Sequence, residues 1–279
     1  MAFSVQQSAV SRVLVVVTDY RDLPQVLSGT ESRWLIAESR QPLINMQNAP
    51  PGTLYLVSTP IGNLEDITLR ALRILEEVDL IAAEDTRQTR RLLTHYDIQT
   101  PLTSYFEGNE RSKSDKLIAR LQTGEAIALV SDAGTPIISD PGYPLLRGCI
   151  AAEIPIVPIP GASAAIAAAS VSGLPLHNFT FEGFLSPKSG KRKRQLRALA
   201  VEGRTLIFFE SPHRLCRFLE DVLEVMGERD IVVTRELTKQ FEETFRGQVS
   251  AALEKFQSTT PRGEFTIVIA GERRKSDNS

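Results

Sequence analysis

The stretch Ser131-Asp132-Ala133-Gly134-Thr135-Pro136-Ile137-Ile138-Ser139-Asp140-Pro141-Gly142 gathers acceptors and backbone irregularity in one short segment. Its aspartates and small hydroxyls can accept hydrogen bonds from amino, ribose or amide groups. Its two glycines and two prolines hold the chain out of regular structure and let a ligand approach the backbone closely. The same residue types are the commonest loop formers, so taken alone the stretch reads equally as a cap-rich connection. A second turn, Thr59-Pro60-Ile61-Gly62-Asn63-Leu64, lacks the G-x-G-x-x-G spacing of a dinucleotide-binding strand-to-helix turn. A third, Pro160-Gly161-Ala162-Ser163-Ala164-Ala165, opens an alanine-rich helix expected over 162–170. That helix can pack closely on a sheet or turn its first N–H groups to a ligand. Lys188, Lys191, Arg192, Lys193, Arg194 and Arg197 form a basic cluster with no acid between Ser186 and Val201. It reads either as a solvated helix face or as a strip that meets phosphates.

These turns need a sheet edge to hold them. Leu54-Tyr55-Leu56-Val57 predicts a strand before the Thr59 turn, and a helix over 66–78 follows, with Asp66 as its N-cap. Strands are expected at 80–83, 126–130 and 154–159, the last near an edge because of its prolines. Helices are expected from about Thr86 and over 114–122, the latter capped by Ser114 and stopped by Gly124. Strand and helix alternating over this span predict a mostly parallel α/β sheet, with all three turns at its carboxyl edge, where ligands bind. After Ser172-Gly173-Leu174-Pro175, strands at 179–184, 205–209, 231–234, 242–247 and 264–270 alternate with helices at 191–201, 212–226 and 249–256. A second, more mixed α/β domain is therefore expected over 175–279, after a first over 53–174. Residues 1–52 read as a loosely ordered N-terminal extension.

Composition narrows the class. The chain has 279 residues, 42% hydrophobic and 24% charged, with a net charge of −2, which suits two globular cores and gives no overall attraction to nucleic acid. No apolar run approaches the roughly 18 residues of a membrane span, and Val13–Val17 is too short for a leader. Cys149 and Cys216 read as reduced core thiols. His95, His177 and His213 have no metal-ligand spacing, so no metal is expected.

With the turns at 59–64, 131–142 and 160–164, the chain resembles the tetrapyrrole-methylase superfamily of S-adenosylmethionine-dependent methyltransferases, and within it the branch acting on small-subunit ribosomal RNA. Ala83-Glu84-Asp85-Thr86-Arg87, Phe209-Glu210-Ser211-Pro212-His213-Arg214, Thr234-Arg235-Glu236-Leu237-Thr238-Lys239 and Gly263-Glu264-Phe265 extend the resemblance from about Thr53 to Gly271. It implies two α/β domains with S-adenosylmethionine in the cleft between them. It further implies 2′-O-methylation of a cytidine in the decoding region of 16S rRNA on the 30S subunit, by a cytoplasmic homodimer. By that resemblance Pro60, Ile61, Gly62, Gly134, Thr135, Pro136, Ile137, Ser163 and Ala164 face the cofactor, and Asp132 and Asp140 bind it or hold the loop. For the proton leaving the ribose hydroxyl, Asp85, Glu210, Glu236 and Lys239 are the candidate acceptors. Lys239 could serve only if neutral, and Glu210 and Glu236 could instead be partners of Arg214 and Arg235. The resemblance favours RNA contact for the basic cluster, with Arg87, Arg90 and Arg91 adding to it. Relatives usually continue into a small helical C-terminal region that this sequence lacks, which puts RNA affinity or dimer packing in question. Two other functions compete: methylation of a tetrapyrrole or other non-RNA acceptor, against which the basic cluster argues, and a non-catalytic ribosome assembly factor.

Overall fold

The computed structural model describes residues 52–272. The expected N-terminal extension lies outside the described residues apart from Gly52. Among the described residues, ten strands form two five-stranded sheets. The first contains β1 (Leu54–Val57), β2 (Leu80–Ala83), β3 (Leu102–Ser104), β4 (Ile127–Val130) and β5 (Ile156–Ile159), in the order β3-β2-β4-β1-β5 with every pairing parallel. Three or four residues per strand suffice because helices cover both faces, and successive residues serve opposite cores. Tyr55 and Val57 pack with Ala71, Ile74 and Leu75, while Leu54 packs with Leu121, Leu145 and the Cys149 thiol. Burial pushes that thiol up to about 11, as befits an unreactive core cysteine. The proline-bearing β5 is the edge strand that its sequence predicts.

The second sheet contains β6 (Phe179–Phe184), β7 (Thr205–Glu210), β8 (Asp230–Arg235), β9 (Glu243–Gln248) and β10 (Phe265–Ile269), ordered β6-β7-β10-β8-β9. Only β6–β7 is parallel, so the sheet is mixed, as expected. The fold is α/β, built on two sheets.

The helices are α1 (Leu69–Glu77), α2 (Thr86–His95), α3 (Glu110–Gln122), α4 (Tyr143–Ala151), α5 (Ala164–Ser170), α6 (Ser189–Leu199), α7 (Leu215–Met226) and α8 (Val249–Gln257). Two expected caps are misplaced. Asp66 ends a short 3-10 turn, and the true N-cap of α1 is Thr68, whose hydroxyl accepts from the Ala71 N–H at 3.1 Å. Thr68 stands at the right distance from the buried Ala71, Ile74 and Leu75, so the apolar stripe decides between two competent caps. Likewise α3 starts four residues before Ser114, whose buried hydroxyl bonds Tyr105 and the Glu110 carbonyl instead of capping. The alanines of α5 have a packing role: Ala165, Ala168 and Ala169 lie against Ile207, Val232 and Val268 of the second sheet. Having left the first sheet at Ile159, the chain thus already contributes a helix to the second sheet's core before the Ser172–Pro175 segment.

Candidate functional site

The three turns meet. Thr59 and Gly134 form an isolated antiparallel bridge, with N–H to carbonyl distances of 2.9 and 3.1 Å. Thr59 Oγ1 donates to the Ser131 carbonyl at 3.1 Å, and the hydroxyls of Ser58 and Thr135 lie 3.0 Å apart. The third turn is drawn in by the Ser58 N–H, which donates to Ile159. A Cβ at Gly161 would sit 2.8 Å from that of Ser58, so only glycine allows this approach. Gly134 adopts φ +82°, in the left-handed region.

Beside these turns lies a cavity of about 350 Å³ that both sheets line. The first half supplies Ile61, Glu84, Asp132, Gly134, Thr135, Ile138, Ser139, Asp140, Ser163 and Ala164; the second supplies Phe184, Phe209, Glu210, Leu237, Glu264 and Phe265 among others. Its charge is one-sided. Five carboxylates (Glu84, Asp132, Asp140, Glu210, Glu264) line it, and no lysine, arginine or histidine does. Burial raises the pKa values of Glu84 and Asp140, and mutual repulsion adds to it, from Asp140 and Asp132 on Glu84 and from Asp132 on Asp140. Such a cavity repels phosphates and carboxylates and favours a cation with apolar or hydroxyl-bearing parts.

Of the eleven expected cofactor residues, Ile61, Asp132, Gly134, Thr135, Asp140, Ser163 and Ala164 line this cavity. Pro60 and Gly62 line an adjoining one with Ile61. Pro136 is buried and lines neither. Ile137 does not line it: its side chain packs, partly buried, against the core beneath the first sheet, and the neighbouring Ile138 lines the cavity. Both Ile137 and Ser139 have positive φ, and in such backbone no simple alternation tells which isoleucine turns outward. The expectation also missed Glu84 and Glu264. Glu84 follows directly on β2 at the carboxyl edge, a position that could have marked it.

The proton-acceptor candidates fare differently. Asp85 caps α2 and grips Arg87 at 2.7 Å, which with the Arg87 N–H holds its carboxyl near 2; it lines neither cavity. Glu210 is buried, its pKa raised by desolvation against the opposing pull of the Ser211 N–H and of Arg214, whose guanidinium lies 3.0 Å away. Glu236 accepts from Lys239 and from the Glu264 N–H; these outweigh burial and hold its pKa below the ordinary value. Burial would lower the pKa of Lys239, but its bonds to Glu264 and Glu236 prevail and raise it, an environment that favours the cation over the neutral amine a base requires.

The basic cluster divides as well. Lys188, Lys191, Arg194 and Arg197 are exposed on or next to α6. Arg192 is not: only 2% of its side chain is exposed and it pairs with the buried Asp221 at 2.6 Å, so it cannot reach RNA. Lys193 pairs with Glu224 at 2.6 Å and lies 3.5 Å from Asp221. Arg87 projects freely, 88% exposed, though tied to Asp85. Among the described residues no three His, Cys, Asp or Glu side chains are placed to hold a metal, and no helix is long and apolar enough to cross a membrane.

Comparison with known proteins matches the family described as Tetrapyrrole (Corrin/Porphyrin) Methylases over residues 53–253. The chain is 53% identical over 221 residues to Ribosomal RNA small subunit methyltransferase I of Synechocystis sp., covering 79% of each. It is 49% identical to the protein of the same description from Thermotoga maritima, over 79% of this chain and 99% of that relative. That relative therefore has no sizeable region beyond the match, and a helical C-terminal continuation is not common to all of them. Among solved structures, uroporphyrin-III C-methyl transferase from Thermus thermophilus complexed with S-adenyl homocysteine shares the fold, with a TM-score of 0.57 at 18% identity over 77% of this chain and 96% of that one.

Proposed function

From the premise that the chain belongs to the tetrapyrrole methylases, in the branch of the small-subunit ribosomal RNA methyltransferases I, we propose that it transfers a methyl group from S-adenosylmethionine to the 2′-hydroxyl of a cytidine in the decoding region of 16S rRNA. The observation that carries this reading is the shared cavity with its five carboxylates and no basic lining. S-adenosylmethionine fits that chemistry: it is a sulfonium cation with an ammonium group, ribose hydroxyls and an apolar-faced base. When bound, it supplies an electrophilic methyl group. Gly134, Thr135, Ser163 and Ala164 provide the close backbone surface against it, Ile61 and Ile138 the apolar walls, and Asp132 and Asp140 the acceptors. Methyl transfer forms an oxygen–carbon bond, breaks the sulfur–carbon bond, leaves a neutral thioether and releases the hydroxyl proton to a carboxylate such as Glu210 or Glu236 or to water, so the positive charge leaves the sulfur. The carboxylates therefore favour the bound ground state more than the transition state. They serve affinity, and the rate must come from holding the hydroxyl in line with the methyl carbon.

The raised pKa values of Glu84 and Asp140 give this reading a pH signature. A bound cation favours their ionised forms, so binding lowers both values and releases protons. Affinity for S-adenosylmethionine is expected to rise with pH through the range in which these carboxyls ionise and then to level off. Calorimetry in buffers of different ionisation enthalpy should register the release; an affinity that falls with rising pH over that range contradicts the assignment.

The substrate reading assigns RNA contact to Lys188, Lys191, Arg194 and Arg197, with Arg87 and Lys193 at its margin. Replacing those first four with serine is expected to weaken binding to 30S subunits and to flatten log affinity against log salt by about 0.7–0.9 for each phosphate no longer neutralised. An unchanged slope would return the cluster to a solvated face. The same reading takes 53–174 and 175–279 as the N- and C-terminal domains of each subunit of a cytoplasmic homodimer. Its decisive test is mass mapping of methylated nucleotides in 16S rRNA from cells lacking the protein. Loss of a 2′-O-methylcytidine is expected, and an unaltered modification pattern rejects the proposal. A purified protein with no heat of S-adenosylmethionine binding would favour the assembly-factor role instead.

A further inference from the structure

A second cavity, of about 460 Å³, adjoins the first and shares Ile61, Asp132, Ala133 and Glu264 with it. From α2 it is walled by Gln88, Thr89, Arg91 and Leu92, from the first turn by Pro60, Gly62 and Leu64, and from the second sheet's side by Lys239. Its charged lining is mixed where its neighbour's is all acidic: Arg91 and Lys239 join the shared Asp132 and Glu264. Lys239 is neutralised by Glu236 and Glu264, at 3.0 and 2.9 Å. Arg91 instead donates only to the uncharged Gln88 amide, at 3.2 Å, and forms no ion pair with a described residue. A guanidinium left unpaired beside a cavity, with Arg87 and Arg90 exposed on the same helix, is suited to phosphate. Pro60, Ile61, Leu64 and Leu92 supply apolar surface for a base.

We infer that this second cavity receives the acceptor nucleotide, drawn out of the RNA as a single flipped residue, with Arg91 meeting its flanking phosphate. The inference rests on the methyl-transfer reading of the first cavity and adds the place and charge selectivity of the acceptor. Drawing one nucleotide out of its stack, as enzymes that act on a base do, would give its ribose hydroxyl a fixed place beside the donor, and this volume falls within the ~300–1,000 Å³ of small-ligand sites. The shared wall brings a ligand in one cavity alongside a ligand in the other, as direct group transfer requires. The two cavities differ in their cations: the charged residues of the first are all acids, whereas Arg91 gives the second a guanidinium that a phosphate can meet.

Two variants test this on the full protein, with 30S subunits from a strain lacking the modification as acceptor. Leu64→Trp places an indole at a side chain already 36% exposed, so the fold should tolerate it while the cavity fills. It is expected to keep S-adenosylmethionine affinity within about twofold and to lower kcat/KM for 30S subunits by roughly 100-fold, the effect of a misplaced acceptor. Arg91→Ala should act mainly by raising KM for 30S subunits about tenfold, the loss expected for one charge-assisted hydrogen bond. Arg91→Lys should recover part of that loss. Turnover by Leu64→Trp equal to that of the unmodified protein overturns the inference. So does a matching loss of S-adenosylmethionine affinity, which would make the space part of the cofactor site. If the unmodified protein binds S-adenosylmethionine but transfers nothing to 30S subunits, the parent reading itself has failed, and this one falls with it.

Discussion

Arg192→Ala is expected to destabilise the protein by about 3–5 kcal/mol, the cost of leaving a buried carboxylate without its partner. The guanidinium is enclosed between α6 and α7, donates through Nε to Asp221 at 2.7 Å, and approaches the carbonyls of Ser186, Pro187 and Arg217 at 3.3–3.4 Å. Asp221 would retain only the Ser189 hydroxyl at 3.0 Å and the more distant Lys193 ammonium at 3.5 Å. Because the pair is buried, the loss should persist in high salt, unlike that of an exposed ion pair. Arg192→Met combined with Asp221→Leu should recover most of the stability, since an apolar pair of similar volume removes the unpaired charge. Urea unfolding reads both values, and a single variant within about 1 kcal/mol of the parent would show that the pair is not what holds α6 to α7. The double variant should also bind 30S subunits as the parent does. That separates Arg192 from its exposed neighbours on the same helix.

What is legible in the sequence follows from what is local. Strands ending in glycine- and proline-bearing turns announce themselves through a few adjacent residues, so β1, β4 and β5 and the turns after them can be read closely, as can the shared edge where the turns meet. Arg192 shows what cannot. Its neighbours in sequence are all basic, and only Asp221, 29 residues onward on another helix, determines that this one member of the run turns inward. The same holds for Lys239, whose bond to Glu264 on a separate segment no local pattern announces. Competing local signals mislead in a different way: Asp66 and Thr68 are both competent caps, and burial of the α1 stripe chooses between them. The three-residue edge strand β3 carries too little pattern to be recognised. The cavity's one-sided charge is also hidden, because its carboxylates come from five separate positions that only the fold brings together.

Gly134→Val is expected to lower S-adenosylmethionine affinity by roughly 100-fold or more, from strain and obstruction acting together. At φ +82° a β-branched residue is strained wherever it is placed, and here the glycine also anchors the bridge to Thr59. A Cβ would lie 3.4 Å from Ile61 Cγ2 and 3.6 Å from the Ala162 carbonyl, so the first atom just fits, and the two further methyl groups must displace Ile61 or enter the cavity. Two other variants separate the causes. Gly134→Ala introduces the strain with little of the volume and should fall between parent and valine. Gly173→Val introduces comparable strain at φ +73°, at a site where an added Cβ meets nothing within 4 Å. It should cost stability and leave the cofactor's affinity unchanged. Calorimetric titration of folded protein reads all three, with circular dichroism confirming the fold. A folded Gly134→Val protein that binds S-adenosylmethionine as tightly as the parent would mean that the cofactor does not lie against this turn, and the assignment of the acid-lined cavity would have to be abandoned.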